Sequence, residues 1–189
     1  MRRGKAEQMD YSRKHIFLNG FMGVGKSRIG RSLAQRLNRP FVDTDTLIER
    51  RAGCAIREIF DKEGESGFRE MERRVIAETA AGETPLVIAA GGGALVDDGS
   101  LALARQRGVV VFIRSAPPAI VERVKKNDKR PLLHLPAGQD YEKRLLSHIT
   151  QMLEQRMPLY LRSHFLIDRD GLEAEDVAGL IVAYLEKMS

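Results

Sequence analysis

The sequence is poor in the residues that mark secreted, membrane-spanning and nucleic-acid-binding proteins. Its 189 residues include one cysteine, Cys54, so no disulfide can form within the chain. Tryptophan is absent and aromatic residues make up 6%, whereas single-stranded nucleic acid is bound on aromatic platforms. The apolar runs at residues 86–90 and 109–113 are far shorter than the about 20 residues that a membrane helix needs. We therefore expect a cytoplasmic protein with no membrane segment and no nucleic-acid partner.

The composition is that of one globular domain with a basic extension. Hydrophobic residues make up 43% of the chain, which is enough for one compact core and too little for two domains of ordinary size. The net charge is +5, and much of it lies in residues 1–14, which contain five basic and two acidic residues. We expect residues 1–14 to be a flexible extension and residues 15–189 to form a single domain.

Short apolar runs alternate with amphipathic stretches along the chain. The runs predict buried strands at residues 15–19, 41–42, 86–90, 109–113 and 165–167. Apolar residues spaced by three and four predict helices at residues 27–37, 141–161 and 173–188. This alternation indicates an α/β fold with a mostly parallel sheet, which binds ligands beyond the carboxyl ends of its strands. The irregular stretch at residues 125–139 is predicted to be a mobile lid.

A phosphate-binding loop follows the first predicted strand. Residues 20–27 read G-F-M-G-V-G-K-S and match G-x-x-x-x-G-K-[ST], with a strand before and a helix after. The backbone amides of Gly23, Val24 and Gly25 are predicted to point at phosphate oxygens, since glycine lets the loop curl tightly. Lys26 is expected to reach the β- and γ-phosphates, and the Ser27 hydroxyl group to ligate Mg²⁺. The loop therefore predicts a site for a nucleoside triphosphate.

Two carboxylates end the second predicted strand. In an extended D-T-D segment, Asp43 and Asp45 lie on one side, facing the phosphate loop. One of them can support Mg²⁺ while the other accepts a hydroxyl proton from a phosphoryl acceptor. The alternative is that Asp45 caps a helix over residues 47–51.

Four further segments complete a recognisable order. They are F-R-E-M-E at residues 68–72, G-G-G at 91–93, K-R-P-L-L at 129–133 and R-M-P-L-Y at 156–160. With the phosphate loop and D-T-D, they resemble the shikimate kinase family over residues 16–171. The resemblance implies a three-layer P-loop NTPase fold of the nucleoside monophosphate kinase type. Such a fold has a five-stranded parallel sheet in the order 2-3-1-4-5, flanked by helices, and a mobile lid.

The resemblance also implies roles for individual residues of the acceptor site. Asp45 would bind the acceptor hydroxyl group and act as the base, and Asp43 would support one Mg²⁺ ion with Ser27. Arg69, which Glu72 would orient, and Arg156 would grip the substrate carboxylate as planar guanidinium forks. The remaining substrate contacts would come from Gly91, Gly92, Gly93, Phe60 and Phe68.

The nucleotide side carries three further arginines by the same resemblance. Arg130 would close over the transferring phosphoryl group from the lid and act with Lys26 on its charge. Arg123 would stack on adenine, and Arg169, after the fifth strand, would lie near the base. Arg28 departs from the family pattern, because a small hydroxyl residue that holds the α-phosphate is usual at this position. We expect weakened or compensated ATP binding there.

The implied function is ATP-dependent phosphorylation of the 3-hydroxyl group of shikimate by a cytoplasmic monomer, as a step towards aromatic amino acids. Two alternatives stay open at the level of sequence. A gluconate-type kinase of the same fold would also bind one carboxylate. A nucleotide-binding regulator without turnover would need neither a base at Asp45 nor a lid arginine at Arg130.

Overall fold

The computed structural model describes residues 14–125, 131–133, 135–136 and 138–188. Most of the predicted N-terminal extension, Arg130 and much of the predicted lid lie outside the described residues. The five strands are β1 (His15–Asn19), β2 (Phe41–Asp43), β3 (Val87–Ala89), β4 (Gly108–Arg114) and β5 (Phe165–Asp168). The helices are α1 (Lys26–Leu37), α2 (Thr44–Ala52), α3 (Ile56–Ala81), α4 (Asp98–Arg107), α5 (Pro117–Val124), α6 (Tyr141–Tyr160) and α7 (Ala174–Met188), with a 3₁₀ turn at Pro131–Leu133.

The strands form one parallel sheet in the order β2-β3-β1-β4-β5, as predicted. β1 is the central strand, with β2 and β3 on one side of it and β4 and β5 on the other. Parallel sheets of this kind bind ligands in the crevice at the carboxyl end of the strand where the chain changes its direction of winding. The phosphate loop leaves β1 at this point, so the topology places it in the middle of the sheet edge.

Helices cover both faces of the sheet, which confirms the three-layer prediction. Successive side chains of β1 alternate between two cores: Ile16 and Leu18 pack with α1, α5, α6 and α7, while Phe17 packs with α3 and α4. This is the period-two pattern of a strand buried on both sides. A third, smaller core of Ile48, Ile59, Phe68 and Val75 joins α2 to α3 beside the sheet.

Helix α3 contains a glycine kink that divides it into two arms. Gly64 has φ 68° and ψ −178°, a conformation that only glycine adopts readily. The first arm carries Phe60 and the second carries Phe68 and Arg69. The kink therefore lets both arms border one cavity.

None of the helices among the described residues combines the length and the apolar content that a membrane span requires.

Candidate active site

In the phosphate loop, the lysine side chain bonds back to the backbone at the start of the loop. Gly25 precedes α1 with φ 90°, so a side chain at this position would be strained, and its Cβ would strike the Arg169 guanidinium group. Lys26 is 8% exposed, and its Nζ donates hydrogen bonds to the carbonyl oxygens of Gly20 at 2.7 Å and Phe21 at 2.9 Å. The buried ammonium group is therefore held beside the amide groups that begin α1.

The second half of the phosphate site joins α1 to β2. The Ser27 hydroxyl group donates a hydrogen bond to Oδ2 of Asp43. These are hard oxygen ligands of the kind that Mg²⁺ takes from a protein when phosphate and water supply the rest. No cluster of three or more His, Cys, Asp or Glu side chains that could hold a metal occurs within the described ranges. The two oxygen groups lie together, as ligands of a metal shared with a nucleotide would have to, and their role in binding Mg²⁺ stays a prediction.

The D-T-D segment is not extended throughout, which corrects one sequence prediction. Asp43 ends β2 and α2 begins at Thr44, because the Asp43 carboxylate caps the helix. Its Oδ1 accepts hydrogen bonds from the backbone amides of Asp45 at 3.1 Å and Thr46 at 3.2 Å. The cap is thus Asp43 and not Asp45. Asp45 lies in the first turn of α2, where its carboxylate faces the triple glycine.

The first glycine of the triple brings two carboxylates together. The Gly91 amide donates to Oγ1 of Thr44 at 2.8 Å, which ties the segment after β3 to the start of α2. A Cβ on Gly91 would collide with Oδ1 of Asp45 and lie 2.7 Å from Oε1 of Glu72. Only glycine leaves space here for both carboxylates to approach the same backbone.

Arg69 is held between two glutamates on its own helix. It forms ion pairs with Glu72 and, at 2.9 Å, with Glu65. This confirms the predicted contact between Arg69 and Glu72. Burial raises the pKa of Glu72 to about 7, and the neighbouring Asp45 raises it too, against the opposing effects of Arg69 and Arg156. Glu72 is 2% exposed, so its charge state is set by these few neighbours.

Arg156 approaches the triple glycine from α6. Its Nη1 donates to the Gly92 carbonyl oxygen at 3.1 Å, and the guanidinium group lies over the ring of Phe21 at 5.4 Å. The hydroxyl group of Tyr160, one turn along α6, donates to the same carbonyl oxygen at 2.8 Å. Sequence reasoning missed Tyr160, although its spacing of four from Arg156 was a signal that both side chains share one face of a helix.

Most of the predicted acceptor residues border one small cavity of about 60 Å³. It is lined by Met22, Asp45, Ile56, Phe60, Phe68, Arg69, Glu72, Gly92, Gly93 and Leu132. The rings of Phe60 and Phe68 lie 4.8 Å apart, so the two arms of α3 form an apolar wall. A second cavity of about 350 Å³ shares Arg69, Glu72 and Gly93 with the first and includes Arg156. The arrangement suits a small molecule with an apolar ring face, hydroxyl groups and a carboxylate.

Arg123 and Arg169, the two arginines predicted near the adenine, have different hydrogen-bond partners. Arg123 donates to Oγ of Ser115 at 2.8 Å and forms an ion pair with Asp170 at 3.3 Å. Arg169 follows β5, as predicted, and its Nη1 donates to the carbonyl oxygen of Val24 at 2.8 Å. Its Nε is buried, with no hydrogen-bond partner among the described residues. Burial lowers the pKa of Arg169, and the charge of Arg123 nearby lowers it as well.

Arg28 forms an exposed ion pair on the nucleotide side. Its guanidinium group lies 3.9 Å from the Glu173 carboxylate, and both side chains are more than 70% exposed. A pair this exposed contributes little to stability. Arg28 stays a predicted ATP-binding residue, with weakened or compensated binding expected.

Comparison with known proteins identifies the group to which this site belongs. The sequence model that describes shikimate kinase matches residues 22–186. The chain belongs to the shikimate kinase family. A shikimate kinase of Thermodesulfovibrio yellowstonii is 39% identical over 176 residues, which are 93% of this chain and 97% of the relative. The resemblance inferred from the sequence is thus confirmed, and the chain is a kinase of this family.

Solved structures agree with that assignment. A shikimate kinase from Acinetobacter baumannii in complex with shikimate superposes with a TM-score of 0.85 at 35% identity, covering 94% of this chain and 95% of that one. A gluconokinase from Sinorhizobium meliloti superposes with a TM-score of 0.61 over 93% of each chain, but at 15% identity this likeness shows the fold alone. The gluconate alternative therefore gains no support beyond the shared fold.

Proposed function

We propose that the chain transfers the γ-phosphoryl group of ATP to the 3-hydroxyl group of shikimate, giving shikimate 3-phosphate and ADP. The observation that carries the proposal is the shared cavity: Met22 of the phosphate loop lines it together with Asp45 and Arg69. A donor on the loop and an acid held by Arg69 would meet in this cavity. Positioning of this kind supplies much of the rate in phosphoryl transfer.

The phosphate loop provides the nucleotide half. Backbone amides of Gly23, Val24 and Gly25 would hold the phosphates at the start of α1, while Lys26 exchanges its carbonyl partners for phosphate oxygens. Ser27 and Asp43 would hold one Mg²⁺ ion, whose charge offsets that of the phosphates.

The acid half of the site consists of residues around the two adjoining cavities. Arg69 and Arg156 would bind the carboxylate of the acid, and Phe60 and Phe68 would contact its ring. Asp45 would accept the proton of the 3-hydroxyl group as its oxygen forms the new bond to phosphorus and the bond to ADP breaks. The backbone of Gly91, Gly92 and Gly93 would approach the ring hydroxyl groups, because a Cβ at Gly91 or Gly93 would collide with Asp45 or Arg69. The family relative solved with shikimate supports this acid as the acceptor.

The remaining assignments concern the edge of the nucleotide site. Arg123 and Arg169 would border the adenine. Arg130, which lies outside the described residues, would act from the lid on the transferring group together with Lys26. We propose a monomer, which is the state that the family resemblance implies. The proposal places the reaction in the cytoplasm, where ATP is supplied.

The first experiment is a measurement of ADP release with Mg²⁺ and ATP, comparing shikimate, gluconate and no acceptor. We expect turnover that depends on shikimate. Asp45→Asn should lower kcat by about 10² to 10⁴, the usual contribution of a positioned base. Asp61→Asn, at an exposed position of α3, is the matched control and should leave kcat unchanged.

Two results would contradict the proposal. Equal stimulation by gluconate would remove the assignment of the acid. Bound ATP without turnover for either acid would favour a nucleotide-binding regulator over a kinase.

A further inference from the structure

Tyr160 is a large polar side chain that contacts the triple glycine and that the proposed chemistry leaves unused. It is fully buried, its ring stacks on Phe112 with the centroids 4.9 Å apart, and its hydroxyl group donates to the Gly92 carbonyl oxygen at 2.8 Å. Burial raises the pKa of Tyr160 to about 12, so the hydroxyl group keeps its proton throughout the neutral range. It is therefore a permanent donor.

The acceptor of this hydrogen bond is saturated. A carbonyl oxygen has two lone pairs, and the Gly92 oxygen receives Nη1 of Arg156 at 3.1 Å as well as the Tyr160 hydroxyl group. Both donors come from one face of α6, four residues apart. The Gly92 carbonyl group is thus directed towards α6 by two hydrogen bonds.

The direction of one carbonyl group fixes the next amide group. The peptide bond between Gly92 and Gly93 is planar and trans, so the Gly93 N–H points opposite to the Gly92 carbonyl group, away from α6. Glycine has no side chain to restrict its backbone dihedrals, so neither residue holds this plane by itself. Gly92 and Gly93 both line the cavity that contains Asp45 and Arg69.

The same turn also touches the phosphate loop. A Cβ on Gly92 would lie 2.9 Å from the backbone nitrogen of Met22, so the glycine packs directly on the loop. A side chain at this position would therefore collide with the loop, so the close approach requires glycine.

We propose that Tyr160 is a positioning residue of the acid site, whose hydroxyl group holds the peptide plane between Gly92 and Gly93 in the orientation that receives the acid. This role rests on the proposed function, since it concerns the same cavity. In this role Tyr160 touches neither the acid nor the nucleotide. It acts through the Gly92 carbonyl group, and its hydroxyl group also interacts with Arg156, the second donor to that oxygen.

Tyr160→Phe removes the hydroxyl group and keeps the ring that stacks on Phe112. We expect the KM for shikimate to rise about threefold to tenfold, the effect of one lost hydrogen bond. The KM for ATP should change less than about twofold, because the bonds of Lys26 lie within the phosphate loop. Tyr184→Phe is the matched control: Tyr184 stacks on Phe165 at 4.2 Å on the outside of α7, and its loss of a hydroxyl group should leave both KM values unchanged.

A second measurement does not depend on turnover. With ¹⁵N-labelled glycine, Tyr160→Phe should move the amide signals of Gly92 and Gly93 and leave those of Gly53 and Gly171 in place. Incorporation of 3-fluorotyrosine into the unmutated chain makes the hydroxyl group a stronger donor without removing it, and should move the same two signals in the opposite direction. The 3-fluorotyrosine experiment tests the proposal even if Tyr160→Phe does not fold.

The outcomes separate the two proposals. Unmoved Gly92 and Gly93 amides, or a lower Tm with an unchanged KM for shikimate, would overturn the positioning role and leave Tyr160 a core residue. Moved amides in a protein that does not phosphorylate shikimate would support the positioning of the turn and overturn the proposed substrate instead.

Discussion

The two halves of the site are built in different ways. The nucleotide half is local: Lys26 bonds to carbonyl groups five and six residues before it, and the whole loop spans residues 20–27. The acid half is assembled from α2, both arms of α3, the turn after β3, and α6, with Asp45 and Arg156 at the two ends of the set. The phosphate loop itself needs only β1 and α1, whereas the acid half exists only when the fold is complete.

The halves also differ in their electrostatics. The buried Lys26 is held by neutral carbonyl groups, while Arg69 is held by two carboxylates, and one of these, Glu72, is itself buried. Opposite charges in the acid half therefore share a small, poorly solvated space, where each charge state depends on its neighbours. Substitutions in the nucleotide half should therefore affect activity independently of one another, whereas substitutions in the acid half should have non-additive effects.

The largest expected effect is in the nucleotide half alone. Lys26→Met removes the charge that would act on the transferring phosphoryl group and should lower kcat by about 10² to 10³. Binding of shikimate, measured by calorimetry without ATP, should stay within about twofold of the unmutated protein, since Lys26 does not line the acid cavity. Lys62→Met, on the exposed face of α3, is the control. Equal loss of acid binding would show that the halves are not separate.

A conservative change in the acid half should have a smaller effect, and this effect should concern shikimate and not ATP. Arg69→Lys keeps the charge but loses the planar fork that binds two carboxylate oxygens, so the KM for shikimate should rise about tenfold. The KM for ATP should hardly change. Arg74→Lys, exposed on the same helix, should behave like the unmutated protein in the same assay. An equal rise of both KM values would argue against the assignment of Arg69 to the acid.

The charge coupling of the acid half should appear as a pH dependence. Glu72 has a pKa raised to about 7, so it ionises as the pH rises through that value. A bound carboxylate adds negative charge nearby and favours the protonated form, so acid binding should take up protons and weaken with rising pH. We expect the KM for shikimate to increase about threefold between about pH 6 and about pH 8, less than the tenfold change that corresponds to one pKa unit. In Glu72→Gln this dependence should vanish; a variant with the same slope would exclude Glu72 as its source.

The smallest expected effect is at the position where the nucleotide half departs from its family. Arg28 forms an exposed ion pair with Glu173 at 3.9 Å. Arg28→Thr restores a short hydroxyl donor and should lower the KM for ATP about threefold, with kcat unchanged. Arg36→Thr, exposed on the same helix, controls for the loss of charge. An unchanged KM for ATP in Arg28→Thr would mean that the departure is already compensated.

The same contrast explains what could be predicted from the sequence. The position of the phosphate loop between β1 and α1 was predicted correctly, because its glycines and Lys26 lie in one continuous segment. The strand order came from the family resemblance, and each predicted strand end lies within one residue of the observed end. The start of α2 was missed, since an extended D-T-D and a capped helix differ only in whether the Asp43 carboxylate turns back to the amides of Asp45 and Thr46. The spacing of Tyr160 from Arg156 indicated a shared helix face, but the contact of Tyr160 with Gly92 and the burial of Glu72 depend on which helices meet at the triple glycine.

One carboxylate links the two halves of the site. Oδ2 of Asp43 accepts the Ser27 hydroxyl group, while Oδ1 caps the helix that carries Asp45. Under the proposed function, a substitution of Asp43 would therefore weaken the hold on Mg²⁺ and the placement of the proposed base at the same time. Asp43 is for that reason a poor starting point for engineering a nucleotide-free acid binder from this scaffold.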